Sequence, residues 1–194
     1  MERPTALQIV DGVDLSGKMC VITGATSGLG RESARALASA GAHVVLGARN
    51  PDALAEAQSW IRAEVPDAAT TTVRLDLTSL AGVRAAATAI QQIAPAIHVL
   101  MNNAGVMFTP FGRTADGFEI QFGTNHLGHF ELTRLLIPQL LAAGGCIWPT
   151  AGSAPTSRRT RSTNSGRPGC GNCRSSSAPR RFRREMGDLS GRWW

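Results

Sequence analysis

The sequence predicts an α/β fold in which a parallel sheet is covered by helices on both faces. Short apolar runs that suit buried strands alternate with longer segments of helical period, which is typical of parallel sheets with right-handed crossovers. The first run, 19–22, is followed at once by a glycine-rich turn and then by the Ala-rich segment 31–40, a predicted helix. At 194 residues, the chain is long enough for one domain with a substantial core.

The glycine-rich turn from Thr23 to Gly30 reads TGATSGLG. Its glycines, Gly24, Gly28 and Gly30, permit backbone angles that other residues avoid and let the main chain approach a ligand closely. The amides at the start of the following helix suit a diphosphate, and the hydroxyl of Ser27 adds a donor. The alternative is a tight strand-to-helix turn that binds nothing, and the rest of the chain decides between the two.

A second apolar run, 43–48, ends at Arg49, 19 residues after Gly30. In a dinucleotide-binding fold, the end of this strand meets the adenosine ribose, where an acidic residue binds a free 2′-hydroxyl. A guanidinium suits a 2′-phosphate instead, so we expect NADP to be preferred over NAD. Arg31 is a second candidate for this phosphate. For Arg49, a solvated charge at the end of a strand is the alternative interpretation.

A third strand is predicted over the β-branched run 70–75, after a helix over 51–64. Asp76 follows this strand directly. A polar residue in this place lies at the carboxyl edge of the sheet, where ligands bind in open α/β folds. Asp76 is therefore a candidate to accept a hydrogen bond from the adenine amino group, with a helix cap or an ordinary loop acid as the alternative.

The pattern of strand and helix then repeats once more. Apolar residues at three- and four-residue spacing predict a helix face made of Leu80, Val83, Ala87 and Ile90. The run 97–101 predicts a fourth strand, and the sequence NNAG follows it at 102–105. Because strands and helices alternate regularly, the glycine turn has the position of a dinucleotide-binding turn.

Four motifs in this order resemble those of the short-chain dehydrogenase/reductase family, over about residues 14–145. They are TGATSGLG, Asp76-Leu77, NNAG and TNHLGHF, the last at 124–130. Within the family, the sequence most resembles the retinol-dehydrogenase-like branch. The resemblance implies a Rossmann-type doubly wound parallel sheet and an oxidoreductase that uses a nicotinamide dinucleotide on small alcohols or carbonyl compounds.

The resemblance also assigns roles to individual residues. Those expected to line the diphosphate are Gly24, Ser27, Gly28, Leu29 and Gly30, and those expected beside the adenosine are Arg49, Asp76, Leu77, Asn103, Ala104 and Gly105. Asn125 matches a catalytic asparagine that holds a water in a proton relay. His126 and His129 could share a helix face, but a metal needs more ligands than these two, so we expect packing and no metal.

The family pattern next requires a fifth strand that ends in Ser, and then Tyr with Lys four positions later. The chain contains no Tyr, and its only Lys is Lys18. Pro149 argues against a central strand over 146–150, and little around Ser153 supports it as the family serine. We therefore expect a dinucleotide-binding domain over 1–145 whose sheet is truncated after about the fourth or fifth strand.

The segment 146–194 is predicted to be a disordered tail rich in Arg, Ser and Gly. Basic and acidic side chains number 10 and 12 in residues 1–150, but 10 and 2 in residues 151–194. We interpret this switch as a change of reading frame, which the nucleotide sequence around codons 140–150 would test. The arginine run 180–184 could bind nucleic acid and the CxxC pair at 170–173 zinc, but a solvated tail is favoured over both.

Three functions follow from these observations. The first is an NADP-dependent reductase by descent that is inactive or impaired, because the family's Ser, Tyr and Lys are missing. The second is a non-enzymatic dinucleotide-binding remnant, and the third is a basic-tailed protein that binds nucleic acid. The apolar helix predicted over 130–140 suits either a homo-oligomer interface or burial within one subunit. With no leader-like start and no apolar run of membrane-spanning length, a cytoplasmic protein is expected.

Overall fold

The computed structural model describes residues 5–148, which contain a five-stranded sheet in the order β3-β2-β1-β4-β5 with every neighbouring pair parallel. The strands are β1 (Met19–Thr23), β2 (His43–Ala48), β3 (Thr70–Arg74), β4 (Val99–Met101) and β5 (Cys146–Trp148). The predictions for Ser153, the CxxC pair and the arginine run lie outside the described residues. The Rossmann-type doubly wound sheet expected from the sequence is confirmed.

Helices connect the strands as the sequence period predicts. They are α1 (Ala6–Val10), α2 (Gly28–Ser39), α3 (Pro51–Glu64), α4 (Leu80–Ile93), α5 (Ile120–Phe122) and α6 (His129–Ala143), with a π-helical segment over Gly123–Gly128 that joins α5 to α6. The short α1, which the sequence analysis did not predict, begins at a capping box formed by Thr5 and Gln8. Within the described residues, none of these helices is both long and apolar enough to cross a bilayer.

Two apolar layers enclose the sheet. On one face, α2 and α3 pack Ala34, Leu54 and Ile61 against Ile22 and Leu46. On the other face, α4 and α6 contribute Val83, Ile90, Leu132 and Leu136, which pack against Val21 and Val45. Successive residues of a strand thus enter opposite layers, so β1 and β2 are apolar on both faces, as expected for a buried parallel sheet.

The end of the sheet differs from the prediction at β5. Cys146 to Trp148 pair in register with Val99 to Met101 of β4, so the expectation that Pro149 prevents a strand over 146–150 is wrong for its first three residues. A proline disrupts a sheet where its missing amide is needed, and the described strand ends at the residue before it. The sheet therefore continues past residue 145, the predicted end of the dinucleotide-binding domain.

Candidate cofactor site

The glycine turn leaves β1 at Thr23 and enters α2 at Gly28. Gly24 and Gly28 have positive φ angles of 67° and 52°, which favour glycine. The space around these glycines is a second constraint. A Cβ on Gly24 would lie 2.8 Å from Cα of Ala104, and one on Gly30 would lie 2.2 Å from the carbonyl oxygen of Gly24. The turn therefore packs so closely against the NNAG loop and its own backbone that two of its positions require glycine.

The NNAG loop is hydrogen-bonded to the end of β1. The side-chain amide of Asn103 donates to the carbonyl oxygens of Thr23 and Gly24, at 3.1 and 3.3 Å. The backbone amides of Asn103 and Ala104 both donate to Oγ1 of Thr23, each at 2.9 Å. Asn103 thus has a supporting role beneath the turn, and the loop is fixed relative to the glycines.

A cleft of about 200 Å³ lies beside this loop, at the carboxyl ends of the strands. Six of the predicted residues line it, namely Gly24, Arg49, Asp76, Leu77, Ala104 and Gly105. The remaining lining residues are Gly47, Ala48, Leu75, Thr78, Val106 and Thr124, which the sequence analysis did not single out. This is the edge at which parallel α/β sheets bind ligands.

Arg49 and Asp76 bring opposite charges to this cleft. Oδ1 of Asp76 accepts hydrogen bonds from the backbone amide and the hydroxyl of Thr78, at 2.9 and 2.7 Å. Burial raises the pKa of Asp76, but the bonds from Thr78 and the charges of Arg49 and Arg74 outweigh this effect, so the pKa lies below its usual value. Asp76 is therefore an anion at neutral pH. The helix-cap alternative is wrong, because Ser79 caps α4.

The other predicted residues lie next to the cleft rather than in its lining. Ser27, Gly28 and Leu29 are exposed at the start of α2, and the Leu29 side chain is 71% exposed. Ser27 occupies the N-cap position of α2 without a side-chain hydrogen bond to the helix. Gly30 is buried beneath Gly24. The start of α2 thus presents its hydroxyl and its first amides beside the turn.

Arg31 lies one residue beyond the turn and stacks on an aromatic ring. Its guanidinium carbon is 4.3 Å from the centroid of Trp60, and that of Arg35 is 5.5 Å from it. Nε of Arg31 is buried and has no hydrogen-bond partner among the described residues. Trp60 therefore packs against the core and also fixes the arginine nearest to the turn.

Asn125, the predicted catalytic residue, lies in the π-helical segment. Its side chain accepts from the amide of Val106 and donates to the carbonyl of Val106, both at 2.8 Å. Its own carbonyl oxygen is 2.9 Å from Nδ1 of His129. Segments of π-helix are frequent at functional sites. Here the segment holds Val106 against the cleft.

His126 and His129 have different environments. His126 is exposed and stacks on Phe122, with ring centroids 5.2 Å apart, whereas His129 is buried and its Nε2 lies 2.9 Å from Oγ1 of Thr23. The described residues contain no group of three metal-ligating side chains. The i, i+3 spacing alone did not reveal that one of these histidines bonds the last residue of β1.

A second groove, of about 500 Å³, runs along β3 and α4 and shares only Asp76 with the cleft. Its other lining residues include Thr72, Arg74 and Gly82, and the glycine turn does not contribute to it. Arg74 and Asp76 line this groove, so charge alone does not distinguish it from the cleft. Of the two, the smaller cleft combines Arg49 with the close-packed Gly24 and with a position at the ends of the strands.

The fold and the site together define a protein of the Rossmann-type dinucleotide-binding class. A family model described as short chain dehydrogenase matches residues 18–154, and this chain belongs to that family. Retinol dehydrogenase 12 of Homo sapiens is 45% identical over 128 residues, which cover 66% of this chain and 40% of that protein. The chain thus spans about two fifths of the length of the curated relatives it matches.

Solved structures show the same architecture. A metagenomic short-chain oxidoreductase in complex with NADP has 31% identity and a TM-score of 0.60, with 69% of this chain and 61% of that chain covered. A short-chain dehydrogenase/reductase from Burkholderia phymatum in complex with NAD has 35% identity and a TM-score of 0.56, with 69% and 48% covered. Similar folds therefore occur with either dinucleotide.

Proposed function

We propose that this chain binds NADP in the cleft between the glycine turn and the NNAG loop, as the cofactor-binding part of an oxidoreductase for small alcohols or carbonyl compounds. The observation that carries the proposal is the cationic Arg49 in the lining of a cleft that is bounded by Gly24 and Ala104. When bound, a nicotinamide dinucleotide supplies or accepts a hydride. The family to which the chain belongs supports the reaction class.

The residues present fit such a cofactor. The turn has no room for a Cβ at Gly24 or Gly30, as expected where the backbone itself approaches a diphosphate. Ser27 and the first amides of α2 would hold that diphosphate, and the second oxygen of Asp76 is available in addition to the one that Thr78 occupies. The buried hydroxyl of Thr124 lines the cleft without a partner among the described residues.

The preference for NADP over NAD rests on charge. Arg49 is exposed at the end of β2, and a guanidinium binds a phosphate by charge-assisted hydrogen bonds, whereas an acidic residue there would favour the free ribose. Arg31, held on Trp60, is a second cation close to the turn. NADP and NAD both occur in structures of similar fold, so a direct measurement on this chain decides the preference.

We also infer that turnover is strongly impaired. The chain contains no Tyr to act as the general acid. Lys18 precedes β1, at the end of the sheet opposite to the cleft, and the five residues of β1 span roughly 16 Å at 3.3 Å per residue. General acid/base catalysis contributes typically about 10²–10⁴-fold, so a loss of at least this size is expected. A dinucleotide-binding protein without enzymatic activity is the second candidate, favoured by the same absence of Tyr.

Substitution of Arg49 tests the cofactor preference. Arg49→Ala should weaken NADPH binding by about 10-fold to 100-fold, because charge-assisted hydrogen bonds contribute about 1.5–3 kcal/mol, and should leave NADH binding unchanged. Arg74→Ala is the matched control, since it removes the same exposed charge from the neighbouring strand outside the cleft lining. Fluorescence titration measures both cofactors. Equal losses for NADPH and NADH, or an equal effect of the two substitutions, would contradict the assignment.

An NADPH oxidation assay with aldehydes and ketones, retinoid and steroid-like carbonyls included, tests the inference about turnover. The full chain should give a rate at least about 10²-fold below that of an intact relative assayed beside it. A rate equal to the relative's would show that another group replaces the missing Tyr. Retention on DNA that is sensitive to salt would instead favour the nucleic-acid-binding alternative.

Compartment and oligomeric state complete the proposal. The two cysteines among the described residues, Cys20 and Cys146, are free thiols, which supports a reducing compartment such as the cytoplasm. Exposed Phe130 and Leu141 on α6 support a homo-oligomer, although Leu132 and Leu136 of the same helix are buried within the subunit. Imaging of a tagged chain tests the compartment, and light scattering tests the oligomeric state.

A further inference from the structure

The hydroxyl of Thr23 has every hydrogen-bonding position occupied. Thr23 is fully buried at the end of β1, and its oxygen accepts the amides of Asn103 and Ala104, each at 2.9 Å. A hydroxyl has two acceptor lone pairs and one proton. The proton must therefore point to the third neighbour, Nε2 of His129, at 2.9 Å. Nε2 of His129 is thus the acceptor in this bond and carries no proton.

The other ring nitrogen of His129 has the opposite role. Nδ1 lies 2.9 Å from the carbonyl oxygen of Asn125, and a carbonyl can only accept. Nδ1 therefore carries the proton. In this way two neighbours of fixed polarity define one state of the ring, the neutral imidazole protonated at Nδ1. Burial lowers the pKa of His129, and the bond to the Asn125 carbonyl opposes that shift only in part.

Three segments that form the cleft meet at this ring. The ring bonds the hydroxyl oxygen of Thr23, the last residue of β1 and the first of the glycine turn. The same oxygen accepts the backbone amide of Asn103 in the NNAG loop. Through Asn125, the ring contacts the π-helical segment whose side-chain amide holds Val106. Ala104 and Val106 both line the cleft. A change in the protonation of one buried side chain therefore reaches two sides of the cleft.

We propose that His129 is a positioning residue for the dinucleotide cleft, whose neutral imidazole orients the Thr23 hydroxyl and so couples cofactor affinity to pH. The inference rests on the proposed function, since it concerns the site assigned to NADP. A protonated ring would present an N–H at Nε2 to an oxygen whose lone pairs already accept two amides. Thr23 would then have to release the NNAG loop or move away from the ring.

Charged neighbours do not alter this conclusion. The groups that face the ring are uncharged, namely the hydroxyl of Thr23 and the carbonyl of Asn125. On α6 and on the adjoining α4, the ionised side chains Glu131, Arg134 and Arg84 pair with one another. Among the described residues, burial and the Asn125 carbonyl are the influences on the pKa of His129. Acid therefore acts on the ring by direct protonation.

The test is the affinity for NAD⁺ of the full chain from pH 7.5 down to the onset of acid unfolding, measured by calorimetry. NAD⁺ is used because it lacks the 2′-phosphate, which itself titrates near pH 6. The folded pKa lies below the ordinary 6.5, so the affinity should be constant above pH 6.5 and fall below it, by about 10-fold once the ring is protonated. An affinity that does not change with pH while the protein stays folded overturns the proposal.

Matched variants separate positioning from simple packing. His129→Gln should lower the affinity for NAD⁺ by about 10-fold at pH 7.5 and remove its acid dependence. His43→Gln is the control, because His43 bonds Thr71 near the opposite end of the sheet, and it should keep the native profile. Thr23→Ser should also keep the profile, whereas Thr23→Val should lose it. A native acid dependence in either His129→Gln or Thr23→Val overturns the proposal.

A spectroscopic measurement on the native chain determines the protonation state of His129 even if the variants do not fold. Nitrogen-15 NMR of the native chain at pH 7 should show His129 as the neutral ring protonated at Nδ1. A ring protonated at Nε2, or at both nitrogens, would overturn the proposal. This readout needs no cofactor, so failure of the chain to bind any dinucleotide would contradict the proposed function and leave the state of His129 to be judged by NMR alone.

Discussion

The inner strands β1 and β2 of the described sheet and its edge strand β5 differ in how completely they are packed. In β1 and β2, every residue from Cys20 to Thr23 and from Val44 to Gly47 is buried, with helices on both faces. In β5, Cys146 is exposed, Ile147 is 47% exposed, and within residues 5–148 the strand pairs on one side only. The candidate cleft adjoins the ends of these inner strands, with Gly24 after β1 and Gly47 to Arg49 at the end of β2 in its lining. Its geometry depends on contacts that the described residues make among themselves.

The broadest expected effect, on both stability and dinucleotide binding, is at the glycine turn that follows β1. Gly30→Ala places a Cβ that cannot fit, 2.2 Å from the Gly24 carbonyl oxygen and 2.5 Å from Nδ2 of Asn103. We expect a loss of stability of about 3 kcal/mol and loss of dinucleotide binding. Gly112→Ala is the control, because a Cβ there meets nothing closer than 3.9 Å. Thermal melting measures both, and a native melting temperature for Gly30→Ala would refute the close packing of the turn.

Isoleucine-to-alanine substitutions in β1 and in β5 measure the difference in packing between these strands directly. Ile22→Ala removes a fully buried side chain of β1 and should cost about 2–5 kcal/mol, because it leaves a cavity between tightly packed layers. Ile147→Ala removes a half-exposed side chain of β5 and should cost about 1 kcal/mol or less. Denaturant unfolding gives both values. Equal costs would show that the β5 side is packed as completely as the β1 side.

The smallest expected effect concerns the cysteines in register on these strands. Cys20 and Cys146 both pair with Val99, from opposite sides. Burial, and to a lesser extent the neighbouring Cys146, raise the pKa of Cys20 to about 11, so at pH 8 only about 0.1% of it is thiolate. We expect iodoacetamide to modify Cys146 in the folded chain and to spare Cys20, as seen by peptide mass spectrometry. Equal modification of both would mean that β1 opens readily.

The sequence was sufficient for the parts of the molecule that local pattern determines. Apolar runs and glycine spacing predicted β1 to β4 and the turn, and together with the family resemblance they predicted six of the twelve residues that line the cleft. The pairing of β5 could not be predicted, since it depends on contacts with β4, more than forty residues away. The hydrogen bond between Thr23 and His129 could not be predicted for the same reason, because it joins residues 106 positions apart. A Thr at the end of β1 together with a His in the TNHLGHF motif was the available signal.

Titration of the full chain with NADPH and NADH, followed by fluorescence, tests whether this chain binds NADP in the cleft beside Arg49. We expect saturable binding of both cofactors, with NADPH bound at least about 10-fold more tightly, because Arg49 meets a phosphate only in NADPH. Tighter binding of NADH would contradict the preference, and a linear response to both cofactors would contradict the site.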